Sequence, residues 1–341
     1  MLGDAGLNTP NALAVPFPLE PALAVGMKIS SLVPTASLRT FQCSDLDQFR
    51  QAFRHVQVKF TPTCATISAE QAVLTLPGCQ VYLLHTFPRL IDAAVEKDTT
   101  FVGFTMDDGF RVCFNGHDKI KPALAIGQEG AGYKMVEFPG SKFASIIFNP
   151  AICNRGWPSS GFFSLVEISR AAEESLRRTV EAAFAFASGA PADFALPGAA
   201  AGVQETLLSA IDCALRGCEA PDSRRIVTSH RYFEIAQKIE AMLSENLDRP
   251  IYSEDLAGAI GVSVRTLHNV TLRFRGMSLH RYLRLKRLWS VRRELLSGGR
   301  QIKTCALANG FWHLGEFAAL YAGHFGETPS QTLARARGAP S

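Results

Sequence analysis

The chain has 341 residues, 47% apolar and 19% charged, a composition that buries a sizeable core, favours two domains over one and excludes a mainly disordered polymer. Its 35 basic and 31 acidic side chains leave a net charge of +4, which as a total excludes little. Divided at His230 the charge is informative: residues 230–341 carry 16 basic and 9 acidic side chains, hence +7, against −3 for residues 1–229, so the C-terminal part suits a polyanion.

The stretch from Met1 to Val25 is moderately apolar, lacks a basic leading segment and is interrupted by Pro10, Pro16, Pro18 and Pro21, so no signal peptide is expected. No run approaches the roughly 18 apolar residues of a membrane span. The expectation is a cytoplasmic chain without a membrane partner. Cys43, Cys64, Cys79, Cys113, Cys153, Cys213, Cys218 and Cys305 form no Cys-x-x-Cys pair, which points to buried thiols rather than zinc or a disulfide framework.

From about Leu38 to Asn149 short strands are predicted between turns. Val73–Leu76, Val81–Leu84, Phe101–Thr105, Phe110–Phe114, Ala123–Ile126, Lys134–Phe138 and Ser145–Phe148 are the strands. Pro77 and Gly78, Asp107 to Gly109, Asn115 to Asp118, and Pro139 and Gly140 supply turn chemistry. Such spacing suggests a compact sandwich or barrel. Leu165–Ser188 and Val203–Arg216 then show helical periodicity, separated by the Gly/Pro/Ala-rich segment Gly189–Gly202. The face carrying Leu165, Ile168, Leu176 and Val180 either forms a homodimer interface or packs on the β domain. A polar connector near Glu219–Ser229 marks the boundary. The predicted architecture is α+β: a β-rich sensing domain over 1–160, a helical linker over 161–229, and an all-α domain over 230–338.

Ser253 to Val270 reads as a helix-turn-helix. Ala257 is the small residue where two helices touch, Gly261 makes the turn, and Leu256, Ile260, Val262, Leu267 and Val270 fill the apolar offsets. Ser253 and Ser263 are the expected caps, with Glu254 and Asp255 in the first turn, where the helix dipole favours acids. The pattern returns about fifty residues later as Ala306, Gly310, Phe311, Phe317 and Leu320, with Asn309 where the first copy has Ile260. Between the copies, Ser278–Leu296 is predicted as one helix of roughly 28 Å, basic on one face through Arg281, Arg284, Lys286, Arg287, Arg292 and Arg293. A spacer of that size holds two recognition helices near the roughly 34 Å turn of B-DNA. From Arg265 to Lys303 eleven basic residues face one acid, Glu294.

Over about Arg231–Arg335 these features resemble the AraC/XylS-type transcriptional regulators, and the closing run Phe325, Gly326, Glu327, Thr328, Pro329, Ser330 fits that likeness. Thr328 would cap a last short helix with Pro329 at its first position. The resemblance implies a ligand-responsive, sequence-specific regulator of double-stranded DNA, more commonly an activator meeting RNA polymerase, with no cofactor. It places Arg265, His268 and Asn269 at base edges, where Arg suits guanine and Asn adenine. Thr266, Arg273 and Arg275 are placed at phosphates. In the second unit His313, Gly315 and Glu316 form the outward face, a weaker contact that leaves most specificity to the first. Thr271 stands where the family usually has a core aromatic, with Phe274 able to compensate.

Catalytic signatures are weak. Gly127, Gly130 and Gly132 do not fit a dinucleotide fingerprint, and no phosphate-binding loop, Gly-x-Ser-x-Gly or His-Glu-x-x-His occurs. His85, His117 and Asp118 lack the closely paired histidines of a cupin-like metal site, so neither enzyme activity nor a metal is expected. The alternative is a small β-domain enzyme or binding module whose C-terminal helices serve protein contacts.

Overall fold

Side chains alternate across a strand, and here both faces of both sheets are covered. The computed structural model describes residues 27–51, 57–108, 112–118, 121–149, 155–158, 163–216, 218, 223–298 and 301–338. Among the described residues twelve strands and eleven α-helices follow in chain order: β1 (Leu38–Cys43), α1 (Leu46–Gln51), β2 (Gln57–Pro62), β3 (Ala69–Leu76), β4 (Cys79–His85), β5 (Arg89–Ala94), β6 (Thr100–Thr105), β7 (Val112–Phe114) and β8 (His117–Asp118). Then come β9 (Ala123–Gln128), β10 (Gly132–Glu137), β11 (Lys142–Phe148), β12 (Ser164–Glu167), α2 (Arg170–Gly189), α3 (Pro191–Phe194) and α4 (Ala199–Leu215). The C-terminal part comprises α5 (Ser223–Glu245), α6 (Ser253–Ile260), α7 (Val264–Arg275), α8 (Leu279–Leu296), α9 (Ile302–Ala308), α10 (Leu314–Phe325) and α11 (Pro329–Ala336).

A seven-stranded sheet runs β1-β3-β4-β11-β6-β9-β12 and a five-stranded sheet β2-β5-β10-β7-β8. Their facing sides share one aromatic-rich core that includes Phe60, Tyr82, Phe101, Phe114, Tyr133 and Phe143. The other side of the larger sheet packs on α2 and α4, with Leu74, Val81, Val102 and Phe104 against Leu176, Val180, Phe184, Leu207 and Ile211. Leu176 and Val180 are thus wholly buried in the chain's own core. Of the two expected uses of that face, packing on the β domain is the one observed. Leu165 lies before the helix, in β12, which pairs with β9.

The outer side of the five-stranded sheet is covered by the C-terminal helices. Leu90, Cys113 and Val136 join a core with Phe233, Ile239, Leu256, Leu267, Phe274 and Tyr282. The expected turn at Asn115 to Asp118 is shorter than predicted: Asn115 and Gly116 turn the chain at φ 46° and 75°, as a two-residue hairpin loop needs, while His117 and Asp118 pair as β8. Phe110 lies outside the described residues.

In the second helical unit Gly310 has φ +75°, matching Gly261 at +79° in the first. A Cβ at Gly310 would sit 2.8 Å from the guanidinium carbon of Arg287, which is itself anchored on the carbonyls of Leu247 at 2.9 Å and Arg249 at 2.6 Å. Gly310→Ala is therefore expected to destabilise by about 1–3 kcal/mol. Gly258→Ala, inside α6 with open space around it, should instead stabilise by about 0.5–1 kcal/mol. Opposite shifts in melting temperature check this pair; a neutral Gly310→Ala would refute it.

Candidate nucleic-acid interface

The first helix-turn-helix is built by α6 and α7. Leu256, Ala257, Leu267 and Val270 are buried at the contact, and Ile260 closes it. Ser263 caps α7, accepting from the Thr266 N–H at 3.1 Å. Ser253 does not cap α6 as expected: Tyr252 occupies the cap position, and Ser253 is the helix's first residue. Its hydroxyl instead lies 3.2 Å from Nε2 of His268, tying the two helices together.

Arg265, His268 and Asn269 are exposed on α7, and their three- and four-residue spacing puts them on one face. Thr266 is half-buried, its hydroxyl 2.9 Å from that of Ser263. Thr271 is buried and returns its hydroxyl to the Leu267 carbonyl at 2.9 Å, while Phe274 packs 6.3 Å from Phe233, within the same core. The two basic residues at the helix's end differ from expectation. Arg275 is only 3% exposed and pairs with Asp92 of β5 at 2.8 Å and Glu240 of α5 at 3.0 Å. Arg273 donates to the Gly116 carbonyl at 2.6 Å and lies 3.2 Å from His117 Nδ1. Both guanidinium groups are thus already met by acceptors of the β domain, and that of Arg275 also by Glu240 of α5.

These contacts form a polar seam between the domains. Asp92 also holds Lys134 of β10, and Glu240 receives Tyr282 and Lys286. The Cys113 thiol donates to the Arg273 carbonyl at 3.2 Å, and the Trp289 indole donates to the Pro62 carbonyl at 2.8 Å. Burial pushes the Asp92 carboxyl upward, yet the charges of Arg275 and Lys134 outweigh it and hold the pKa at about 2. Burial likewise pushes Lys134 down and Tyr282 up.

The second unit repeats the geometry. Ala306 and Phe317 are buried, and Phe311 and Leu320 flank them half-buried. Asn309 is buried rather than wasted as a polar substitute for Ile260: its amide donates to Glu294 Oε1 at 2.9 Å and to the Cys305 carbonyl at 2.8 Å. Thr328 caps α11 within a capping box closed by Gln331, with Pro329 in the first turn. His313, Gly315 and Glu316 are exposed at the start of α10. Beside them Trp312 is 60% exposed, a residue the sequence reading passed over. Its place outside the apolar set of Phe311 and Phe317 was the available signal.

The basic face of α8 is partly consumed internally. Lys286 binds Glu240, Arg287 binds backbone carbonyls, and Arg292 pairs with Glu327 at 2.8 Å. Arg281, Arg284 and Arg293 remain exposed. His85 lies on β4 and His117 on β8, in different sheets.

A helix-turn-helix domain model matches residues 256–335. The XylDLEGF operon transcriptional activator of Pseudomonas putida is 38% identical over 100 residues, covering 28% of this chain and 31% of the relative. The chain thus carries a helix-turn-helix domain over residues 256–335. A second P. putida relative, the XylDLEGF operon transcriptional activator 2, is 36% identical over 100 residues, 28% of this chain and 64% of its own. A solved structure, a probable AraC family transcriptional regulator from Rhodopseudomonas palustris, is 34% identical with a TM-score of 0.29, covering 31% of this chain and 99% of that one. The likeness to the first curated relative spans about a third of its length. Each of these likenesses spans under a third of this chain. No helix among the described residues is long and apolar enough to cross a membrane.

Proposed function

We propose that the chain is a cytoplasmic, sequence-specific regulator of transcription whose β domain senses a small molecule, rather than an enzyme. The observation that carries this is the exposed trio Arg265, His268 and Asn269 on a capped helix in a helix-turn-helix setting. Arg265 and Asn269 would read base edges and His268 would assist. Thr266 would meet a phosphate, and His313, Gly315 and Glu316 would position the second helix in the next major groove. The likeness to transcriptional activators supports activation through RNA polymerase. A homodimer, if formed, must use a face other than that of Leu176 and Val180.

Genome-wide binding in the native cell would supply the sites, and footprinting the full chain on one of them tests the reading. Two protected major-groove faces about 34 Å apart are expected. A uniform, salt-sensitive background alone would overturn it and favour a β-domain module whose helices serve protein contacts.

A further inference from the structure

The described residues of the β domain enclose hollows, of which two stand out. The larger, about 270 Å³, has Lys28, Glu70, His85, Asp107, Lys142 and Glu181 in its lining. Its charges of both signs partly satisfy one another, as Lys142 and Asp107 do at 3.4 Å. The smaller, about 40 Å³, lies between the two sheets among Phe60, Phe101, Tyr133, Met135 and Ser145, with Arg89 and Glu137 in its wall.

We propose that this inter-sheet cavity binds a small neutral carbonyl compound (a ketone, aldehyde or amide of a few heavy atoms) whose oxygen accepts a hydrogen bond from Arg89 Nη1. The proposal rests on the reading of the β domain as the sensing part and names its ligand class. Arg89 is 1% exposed, and its Nη1 is buried with no acceptor among the described residues. A buried donor left unmet is costly, the more so on a charged group. The rest of the guanidinium is committed: Nε and Nη2 donate to Glu137 at 2.6 and 3.2 Å, and its carbon Cζ lies 4.5 Å from the Phe49 ring centre and 4.6 Å from that of Phe60.

Charge decides the ligand's class. Glu137 already faces Arg89 and takes a further bond from Thr86 at 2.9 Å. An anionic ligand would therefore leave one negative charge unbalanced in an aromatic box, where desolvation is expensive. A purely apolar one would leave Nη1 unmet. A neutral acceptor satisfies both conditions. Since one water needs roughly 10–15 Å³ of such space, the cavity admits on the order of three or four heavy atoms.

The same strands reach the helical domain. Along β10, Tyr133, Met135 and Glu137 line the cavity, whereas Lys134 binds Asp92 and Val136 packs in the core that contains Phe274. Along β5, Arg89 and Ile91 face inward and Asp92 holds Arg275 outward. An occupant displacing these strands by a fraction of an ångström acts directly on the end of α7.

Acetone, acetate and 2-methylpropene are trigonal probes of the same size but with a neutral acceptor, a charge and no acceptor respectively. In the full chain labelled at methionine methyl groups, with Met135 assigned by Met135→Leu, acetone is expected to shift the Met135 signal saturably. Its affinity should exceed that of either other probe by at least tenfold. Ser145→Leu, which fills the cavity and leaves Arg89 and Glu137 in place, should abolish the shift while the other methionine signals stay unchanged. Acetate binding as tightly as acetone, no saturable shift with any probe, or an undiminished shift in Ser145→Leu would each overturn the proposal. DNA binding measured on the same sample separates the two readings. A silent Met135 with DNA binding intact defeats the site alone. A responsive Met135 without DNA binding supports the site and defeats the regulator.

Discussion

Arg265→Ala and Asn269→Ala are each expected to lower affinity for the specific site by about 5- to 150-fold, the loss of a bidentate base contact worth roughly 1–3 kcal/mol. Binding to unrelated DNA at the same salt should change much less, because non-specific affinity comes from phosphates. Both residues are exposed on a helix whose N-terminus is fixed by Ser263, so neither substitution removes a packing contact from the core. The measurement is a shift assay at fixed ionic strength with specific and scrambled duplexes. Equal affinity of wild type and Arg265→Ala for the specific duplex would sink the assignment of base reading to this face.

The largest effect on stability is expected at the seam between the domains. Asp92→Ala leaves Lys134, 5% exposed at its side chain, without its carboxylate and strips one of the two carboxylates from Arg275. Breaking a buried pair from one side costs about 3–5 kcal/mol, whereas exchanging both partners for apolar groups is often nearly neutral. Asp92→Ala should accordingly lower the unfolding free energy by about 3 kcal/mol, and adding Lys134→Met should recover most of it. The pH dependence follows in sign. With its pKa at about 2 instead of the ordinary 3.8, Asp92 contributes roughly 2 kcal/mol that is fully present above pH ~4 and lost as pH falls through ~2. Denaturant titrations of wild type and both variants from pH 7 to about pH 1 check this. A full-sized Asp92→Ala deficit persisting below pH 2 would contradict it.

The helix-turn-helix units were legible because their constraints are local. A small residue, a left-handed Gly and apolar offsets within fifteen positions leave few alternatives, and Thr328, Pro329 and Gln331 announce the last helix in the same way. The strands were legible where a short apolar run forms their middle, as Val81 to Leu84 does in β4, Phe101 to Phe104 in β6 and Ile146 to Phe148 in β11. β1, β2 and β5 escaped notice because polar residues interrupt them: Arg39 in β1, Lys59 in β2, and Arg89 and Asp92 in β5. In β5 these charges are buried only because partners from distant strands and helices neutralise them, Glu137 from 48 residues away and Arg275 from 183. The partners of Arg273 and Arg275 were hidden for the same reason. A basic residue at the end of a recognition helix suits a phosphate, and nothing near it in the chain reveals that Asp92, Gly116 and His117 reach it first. The charge excess of residues 265–303 is thus a poorer guide to the DNA-facing surface than the helix pattern, since Arg275, Lys286, Arg287 and Arg292 are spent inside the protein.

The chain's three tryptophans stand at three separate junctions. Trp157 is buried 5.3 Å from Phe148 and donates to Asp212 of α4 at 2.7 Å. Trp289 binds the Pro62 carbonyl across the domains, and Trp312 stands in solvent at the start of the second recognition helix. The protein therefore carries its own fluorescent reporters. Single-tryptophan versions would watch the sandwich's helical cover, the seam and the outer recognition face independently, so the order in which a ligand or DNA disturbs them can be timed without attaching a dye.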